Sequence, residues 1–394
     1  MYAMEKFSVI VVIGETGSGK STQIPQYLFE NGWCDEGFTV CCTQPRRIAA
    51  QTLALRVSQE VGTHLGQAVG YTVRFDDKTG PETCIKYCTD GMLLREASLS
   101  DPLLSRYSVI MIDEAHELNY NTEILLGVLK KIRRKRKDLR IIVCSATIDA
   151  KSFLDFFIPN NISDEKVPKD KEHNAKSRRN RWGRVVNDIE QEPEETGDRD
   201  NGIENRGTII SIDGRQHPVD VLFSEKPVAD YVEATVDTVL RLILQDLKNP
   251  DSGDILCFLA TGEEIDRAVR TGEHRIDSMG IINGGPAASH ILFLPLYGTL
   301  PYNLQSRVFQ PKPASDTRRR VIFATNIAET SVTVPNVSAV VDCGFVKLPY
   351  FDQTTGFDRL ITAPISHASA SQVRIAIFIE YSCYFLELTG VYTQ

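Results

Sequence analysis

The sequence predicts an α/β protein built from two tandem parallel-sheet domains joined by a charged insert. Three observations carry that expectation. Short β-branched runs alternate with longer amphipathic stretches, as βα units do. The alternation occurs twice along the 394 residues. Between the two occurrences the composition breaks sharply.

The runs, in order, are Ser8–Ile13, Thr39–Thr43, Val109–Ile112 and Ile141–Cys144, then Asp254–Leu259, Val321–Ala324 and Val337–Asp342. Most are apolar on both faces, as strands buried between two helix layers are. The spacing predicts helices over Ser21–Glu30, Thr122–Lys137 and Ala229–Leu247. Residues 164–206 hold 22 charged residues in 43, about half, against 24% in the whole chain. So few apolar groups cannot offset the entropy of ordering, so the segment is expected to be a disordered tether. The expected organisation is a first domain at 1–158, an insert at 159–206, a second domain at 207–372 and a divergent tail at 373–394.

Composition excludes several classes. The net charge of −8 argues against a globally basic nucleic-acid coat, while a local basic face stays possible. No apolar run approaches the ~18 residues a membrane helix needs, so no membrane partner is expected. The nine cysteines are too scattered for a disulfide scaffold. Cys84 and Cys88 lack a second pair to complete a metal site, and buried free thiols in a reducing compartment are the expectation.

Two motifs carry chemistry. Gly14-Glu15-Thr16-Gly17-Ser18-Gly19-Lys20-Ser21, followed by Thr22, lies between an apolar strand and a helix. That context makes it a phosphate-binding loop: glycines let backbone N–H groups close around phosphate oxygens at a helix N-terminus. Lys20 is expected on the β- and γ-phosphates and Ser21 on Mg²⁺. Asp113-Glu114-Ala115-His116 directly follows the strand Tyr107–Ile112, where open α/β sheets bind ligands. Asp113 is expected to hold Mg²⁺ and Glu114 to polarise the attacking water, with His116 counted beside them.

These residues together resemble the DEAH-box RNA helicases of superfamily 2, of the pre-mRNA-splicing-factor type. Further motifs stand in the family's order. Thr43-Gln44-Pro45-Arg46-Arg47 and Thr89-Asp90-Gly91 resemble its RNA-contact motifs. Ser145-Ala146-Thr147 resembles the motif coupling hydrolysis to domain movement. Phe258–Ile265, containing Thr261, resembles motif IV, and Thr325–Ser331 resembles motif V.

The resemblance implies two RecA-like (P-loop) domains with an NTP, ATP or another, and Mg²⁺ bound between them. It implies single-stranded or structured RNA contacted by Arg46, Arg47, Thr89, Thr261 and Thr325. It places the nucleotide base between Arg56 and Phe309, although Arg56 also reads as a surface helix charge and Phe309 as core. It implies coupling through Ser145 and Thr147, and an attacking water oriented by Gln372. A hairpin around Asp352-Gln353-Thr354-Thr355-Gly356 matches the family's hairpin near the duplex fork. The implied setting is a monomer within a spliceosomal or other ribonucleoprotein complex in the nucleus, with the cytoplasm as the other compartment. Lys130–Lys137 reads as a helix end whose cations complement the helix dipole.

After Gln372 the resemblance stops. In register, Ala376 and Ile379 occupy the family's two arginine-finger positions, and Arg374 is offset from them. Loss of such fingers can cost ~10³–10⁵ in rate. The expectation is therefore an RNA-dependent NTPase and helicase whose sequence departs from the family within motif VI. The alternative is a catalytically weak nucleotide- and RNA-binding form. Residues from about 373 onward are expected to be non-family sequence, which reading the transcript across the Gln372 codon tests.

Overall fold

Buried parallel strands set the architecture of the computed structural model. It describes residues 1–15, 17–117, 119–146, 150–158, 206–212, 219–224, 228–246, 253–283, 290–310, 312–313, 316–328, 334, 336–352, 354, 356–365 and 383–387. The elements of the first half are α1 (Tyr2–Lys6), β1 (Val9–Gly14), α2 (Lys20–Glu30), β2 (Thr39–Gln44), α3 (Arg47–Val61), β3 (Val69–Val73), β4 (Asp76–Lys78), β5 (Ile85–Thr89), α4 (Asp90–Leu99), β6 (Tyr107–Ile112), α5 (Tyr120–Lys135), β7 (Arg140–Ser145), α6 (Ala150–Phe157) and β8 (Gly207–Ile212). Those of the second are β9 (Val219–Phe223), α7 (Tyr231–Asp246), β10 (Asp254–Phe258), α8 (Gly262–Asn283), β11 (Ile291–Leu296), α9 (Tyr302–Phe309), β12 (Arg319–Ala324), β13 (Val337–Asp342), β14 (Phe345–Asp352), β15 (Phe357–Pro364) and β16 (Cys383–Glu387).

The first sheet runs β4-β3-β5-β2-β6-β7-β1-β8, parallel throughout except at β4. The β2 strand is buried along its whole length and β1 nearly so, which is what their continuous apolar runs require. Helices cover both faces. On α5, Leu125, Leu126, Leu129 and Ile132 recur at helical spacing and pack against Val9, Val11 and Ile110. Asn119 caps that helix, its side chain accepting from the Asn121 and Thr122 N–H groups at 2.9 and 3.1 Å.

The basic run at its other end has structural employment. Arg133 donates to the Phe157 carbonyl at 2.7 Å, Lys130 lies over the Phe156 ring, and Arg136 donates to the Leu104 carbonyl.

The second sheet runs β11-β12-β10-β13-β16-β9, all parallel. The strands β14 and β15 form a separate antiparallel hairpin, with Phe345 opposite Pro364 and Asp352 opposite Phe357, as the Asp–Gly connection predicts. Asp254 and Arg320, both buried, pair within this lobe at 2.7 Å. The lobes meet where Ile48 and Ala49 of α3 join a core cluster with Leu256, Val308 and Phe309.

Two strand pairings bear on the expected domain organisation. Residues 207–212 pair with β1, with Ile10 opposite Thr208, and so complete the first sheet rather than open the second domain. The end of a charged run marks where burial resumes; it does not say which sheet receives the strand. Within the tail, Cys383–Glu387 form a strand between β13 and β9, with Phe385 opposite both Val340 and Val221. Five residues are too short a run for periodicity to register. The charged insert, apart from Arg206, lies outside the described residues.

Among the described residues no helix is long and apolar enough to cross a membrane. The eight cysteines from Cys34 to Cys343 are free thiols, and all but Cys84 are buried.

Proline at Phe385 would remove an N–H from the interior of the second sheet. Each buried partner left unpaired costs about 1–3 kcal/mol. Amide hydrogen exchange of Phe385→Pro should show protection lost in 219–223 and 337–342 and kept in the first sheet. Equal loss in both sheets contradicts that assignment.

Candidate active site

The sheet order lines the motifs up along one edge. The strands β5, β2, β6, β7 and β1 are neighbours in that order. Their carboxyl ends carry Thr89, Gln44, Asp113, Ser145 and Gly14, with Asp113 one residue beyond β6. This is the edge where parallel α/β sheets place ligands.

The loop 14–19 closes on its own lysine. Gly17 and Gly19 have φ of 83° and 84°, a left-handed backbone that favours glycine. A Cβ at Gly14 would meet Ser18 Oγ at 3.0 Å and the Ile212 carbonyl at 3.1 Å. The buried Lys20 Nζ donates to the Gly14 and Glu15 carbonyls, each at 2.7 Å, and lies 3.3 Å from Ser18 Oγ. Thr22 donates to the Gly19 carbonyl at 3.2 Å. Pro25 lies within α2 and has no N–H for the Ser21 carbonyl. The Tyr87 hydroxyl donates to that carbonyl instead, at 2.8 Å, which fixes the first turn beside the loop. Thr16 lies outside the described residues.

Asp113 is the meeting point. Its Oδ2 accepts from Ser21 Oγ and, at 2.6 Å, from Gln44 Nε2. Its backbone N–H donates to the Thr43 carbonyl at 3.2 Å. A half-buried serine hydroxyl in contact with a buried carboxylate fits Mg²⁺, which takes few protein oxygens and completes its shell with phosphate and water.

Glu114 follows with a φ of 50° and 4% of its surface exposed. Burial first, and then the Asp113 charge, push its carboxyl up to about 8. His116 is lowered by burial, so its ring is held neutral. Its Nδ1 accepts from the Ala146 N–H at 3.2 Å, so the proton sits on Nε2, 3.4 Å from Glu114 Oε2. The imidazole thus touches both the DEAH carboxylate and the Ser145–Ala146 strand end. Ser145 is buried. Thr147 lies outside the described residues.

The expected RNA contacts fall on two lobes. Arg46 Nη2 is 3.3 Å from Glu117 Oε1, and its Nη1 donates to the Asn326 carbonyl of the second lobe at 2.7 Å. Arg47 donates to the Arg74 carbonyl at 2.9 Å. Thr89 and Thr325 are half-buried at strand ends. Thr261 caps α8 in a capping box: its Oγ1 accepts from the Glu264 N–H at 3.2 Å, and Glu264 accepts from the Thr261 N–H at 3.1 Å.

Arg56 is half-exposed and pairs with Glu60 at 2.9 Å. Phe309 is buried in the inter-lobe core cluster. In this arrangement each has the structural employment weighed for it from sequence. Gln372 and positions 374, 376 and 379 lie outside the described residues, as do 329–331 of motif V. Gln44 and Glu117 were missed as site residues, although each stands inside or beside a quoted motif.

The comparisons agree with this geometry. Residues 2–156 match the family described as DEAD/DEAH box helicase, and residues 235–359 match the helicase conserved C-terminal domain. The chain is 42% identical over 373 residues to the Probable ATP-dependent RNA helicase DHX35 of Homo sapiens, covering 94% of this chain and 46% of that protein. It is 42% identical over 370 residues to the Pre-mRNA-splicing factor ATP-dependent RNA helicase prp22 of Schizosaccharomyces pombe, covering 94% and 27%. The crystal structure of Escherichia coli DEAH/RHA helicase HrpB superposes with a TM-score of 0.73 at 27% identity, covering 98% of this chain and 41% of that one. The chain spans less than half the length of these relatives.

The Glu114 shift has a consequence for stability. A carboxyl raised in the folded state contributes stability fully present below its ordinary value of 4.5 and lost as pH rises through about 8. Glu114→Gln removes that titration. Urea unfolding should show the native chain losing stability relative to Glu114→Gln between about pH 4.5 and 8. A constant difference across that window would place Glu114 in water rather than in the buried site.

Proposed function

The chain belongs to the DEAD/DEAH box helicases, and on that premise we propose that it is an RNA-dependent NTPase that remodels RNA or RNA–protein complexes. The observation that carries this reading is the row of motifs on one sheet edge, with Asp113 and Glu114 between the phosphate loop and the arginine pair.

In this reading the loop N–H groups and Lys20 hold the β- and γ-phosphates of ATP or another NTP. Lys20 exchanges its carbonyl partners for phosphate oxygens, a gain in charge complementarity. Ser21 and Asp113 would hold Mg²⁺, which when bound would supply charge to neutralise the transferred phosphoryl group. Glu114 orients the attacking water and takes its proton. A carboxyl raised by burial takes protons well, provided that cations in the site first ionise it; Lys20 already pulls in that direction. His116 keeps Glu114 and Ala146 in register.

RNA runs across both lobes. Arg46 and Arg47 give salt-dependent grip on phosphates without reading bases. Thr89 and Thr325 add hydroxyl contacts, as does Thr261 through the hydroxyl proton its cap leaves unused. Ser145 and Thr147 transmit hydrolysis to lobe movement, and Gln372 orients the water from the second lobe. The nucleotide base lies between Arg56 and Phe309, which requires Arg56 to leave Glu60 and the Phe309 ring to become accessible. We place the protein in the nucleus, in a spliceosomal or other ribonucleoprotein complex, because one relative is named a pre-mRNA-splicing factor. The two RecA-like domains divide between β8 and β9, close to residue 213.

A second reading has one specific observation behind it. Ala376 and Ile379 stand where arginine fingers are expected. A chain without them would bind NTP and RNA and turn over slowly. RNA-stimulated phosphate release separates the readings. For the enzyme, RNA raises the rate, Glu114→Gln abolishes the stimulated rate while nucleotide still binds, and Lys20→Ala loses nucleotide affinity. Equal rates for the native chain and Glu114→Gln establish the binding form.

A further inference from the structure

Gln44 occupies a position that no role given above uses. It is the last residue of β2 and is fully buried. Arg46 and Arg47 follow it almost directly, and its Cα partner across the sheet is Thr89 of β5. Three groups assigned to RNA therefore lie within a few residues of its backbone. Its side chain reaches instead to the nucleotide side, where Nε2 donates to Asp113 Oδ2 at 2.6 Å.

The chemistry fixes which end of the amide does this. A carboxylate oxygen only accepts, so the NH₂ group faces Asp113 and Oε1 faces elsewhere. That Oε1 is buried and has no hydrogen-bond partner within the protein. Buried amide oxygens are normally satisfied, so an orphaned one beside a metal-type carboxylate marks an acceptor for an O–H donor. A water in the shell of a Mg²⁺–nucleotide complex is such a donor.

The backbone reinforces the link. The Asp113 N–H donates to the Thr43 carbonyl, one residue before Gln44. Any shift of the end of β2 on seating a phosphate at Arg46 or Arg47 is thus carried to Asp113 by one main-chain and one side-chain bond.

We propose that Gln44 is a positioning residue that couples RNA seating on the ends of β2 and β5 to the orientation of Asp113, with its Oε1 accepting from a water of the Mg²⁺–nucleotide complex. The assignment rests on the function proposed above and adds a residue and a route to it. Such coupling is reciprocal: Mg²⁺–nucleotide raises RNA affinity by the same factor as RNA raises nucleotide affinity.

The test measures that factor rather than turnover. Fluorescence anisotropy gives the Kd of a labelled single-stranded RNA for the intact chain, with and without Mg²⁺ and a non-hydrolysable ATP analogue. The reverse titration gives the analogue's Kd with and without RNA. The native chain should show a ratio in the usual allosteric range of about 5–150-fold. Gln44→Met, which keeps length and burial, should bring the ratio close to one while each ligand still binds alone. Gln44→Asn, too short to reach Asp113 yet still an amide, should do the same and serves if the methionine variant does not fold. A merely structural role would weaken both affinities and leave their ratio standing. A native ratio in both variants overturns the proposal. A native chain that binds both ligands without coupling overturns it too and leaves the proposed function intact. A native chain that binds neither overturns both.

Discussion

The buried carboxylate pair at Asp113 and Glu114 is the constraint around which the rest of this site is arranged. Two adjacent acids taken out of water repel each other and lose hydration, and the raised Glu114 carboxyl is the direct result. The protein offsets this with donors rather than with a counter-charge in contact. Ser21 and Gln44 both donate to Asp113, and Lys20 acts on the pair from the phosphate loop. Such a site gains most from a ligand that brings positive charge. A divalent cation with its nucleotide would be the natural complement, and its charge would help to ionise Glu114.

Parallel strand order turns that local chemistry into an arrangement over tens of residues. The DEAH strand and the Ser145 strand lie between the arginine side of the sheet and the phosphate loop. A signal from one ligand to the other has to cross them. His116 spans the two strand ends, with one nitrogen on Ala146 and the other near Glu114. Arg46 adds a link between lobes, because its guanidinium holds Glu117 on one side and the Asn326 carbonyl on the other. A phosphate offered to Arg46 competes with a carboxylate beside the DEAH tetrad and with a carbonyl of motif V.

The first lobe was legible in the sequence because its strands are buried on both faces and its loops carry glycine, lysine and carboxylates at fixed spacing. The two parallel sheets and the hairpin at 345–364 followed from the same signals. What escaped notice did so for physical reasons. The strand at 207–212 sits half-exposed at the sheet edge, where a short run between charged and polar neighbours has little periodicity to offer. Strands 69–73 and 291–296 were passed over, the one containing Gly70 and the other Pro295, residues that depress strand propensity. Thr261, followed three residues later by Glu264, is a helix cap as well, a role its sequence spacing also announces. Gln44 stands within a recognisable motif, yet an amide has neither charge nor nucleophilicity to announce a role from sequence. Only the three-dimensional pairing with Asp113 brings it into the site.

Binding and turnover separate cleanly in a protein built this way. Every described group assigned to the nucleotide phosphates and Mg²⁺ comes from the first sheet and its loops, and these are assembled around Asp113 within that lobe. In the function proposed above, hydrolysis additionally needs charge delivered to the γ-phosphate from across the cleft. The family does this with arginines where this chain has Ala376 and Ile379. Family membership follows from the motifs and from the match over both helicase domains. The rate follows from the few cations that reach the transferred phosphoryl group. In the first lobe Lys20 is placed to act there, and it can stabilise the ground state and the transition state alike. An interaction equally strong in both lowers the concentration of nucleotide needed without lowering the barrier. On the proposed function, the sequence around 373–379 would bear on kcat and leave nucleotide affinity to the phosphate loop.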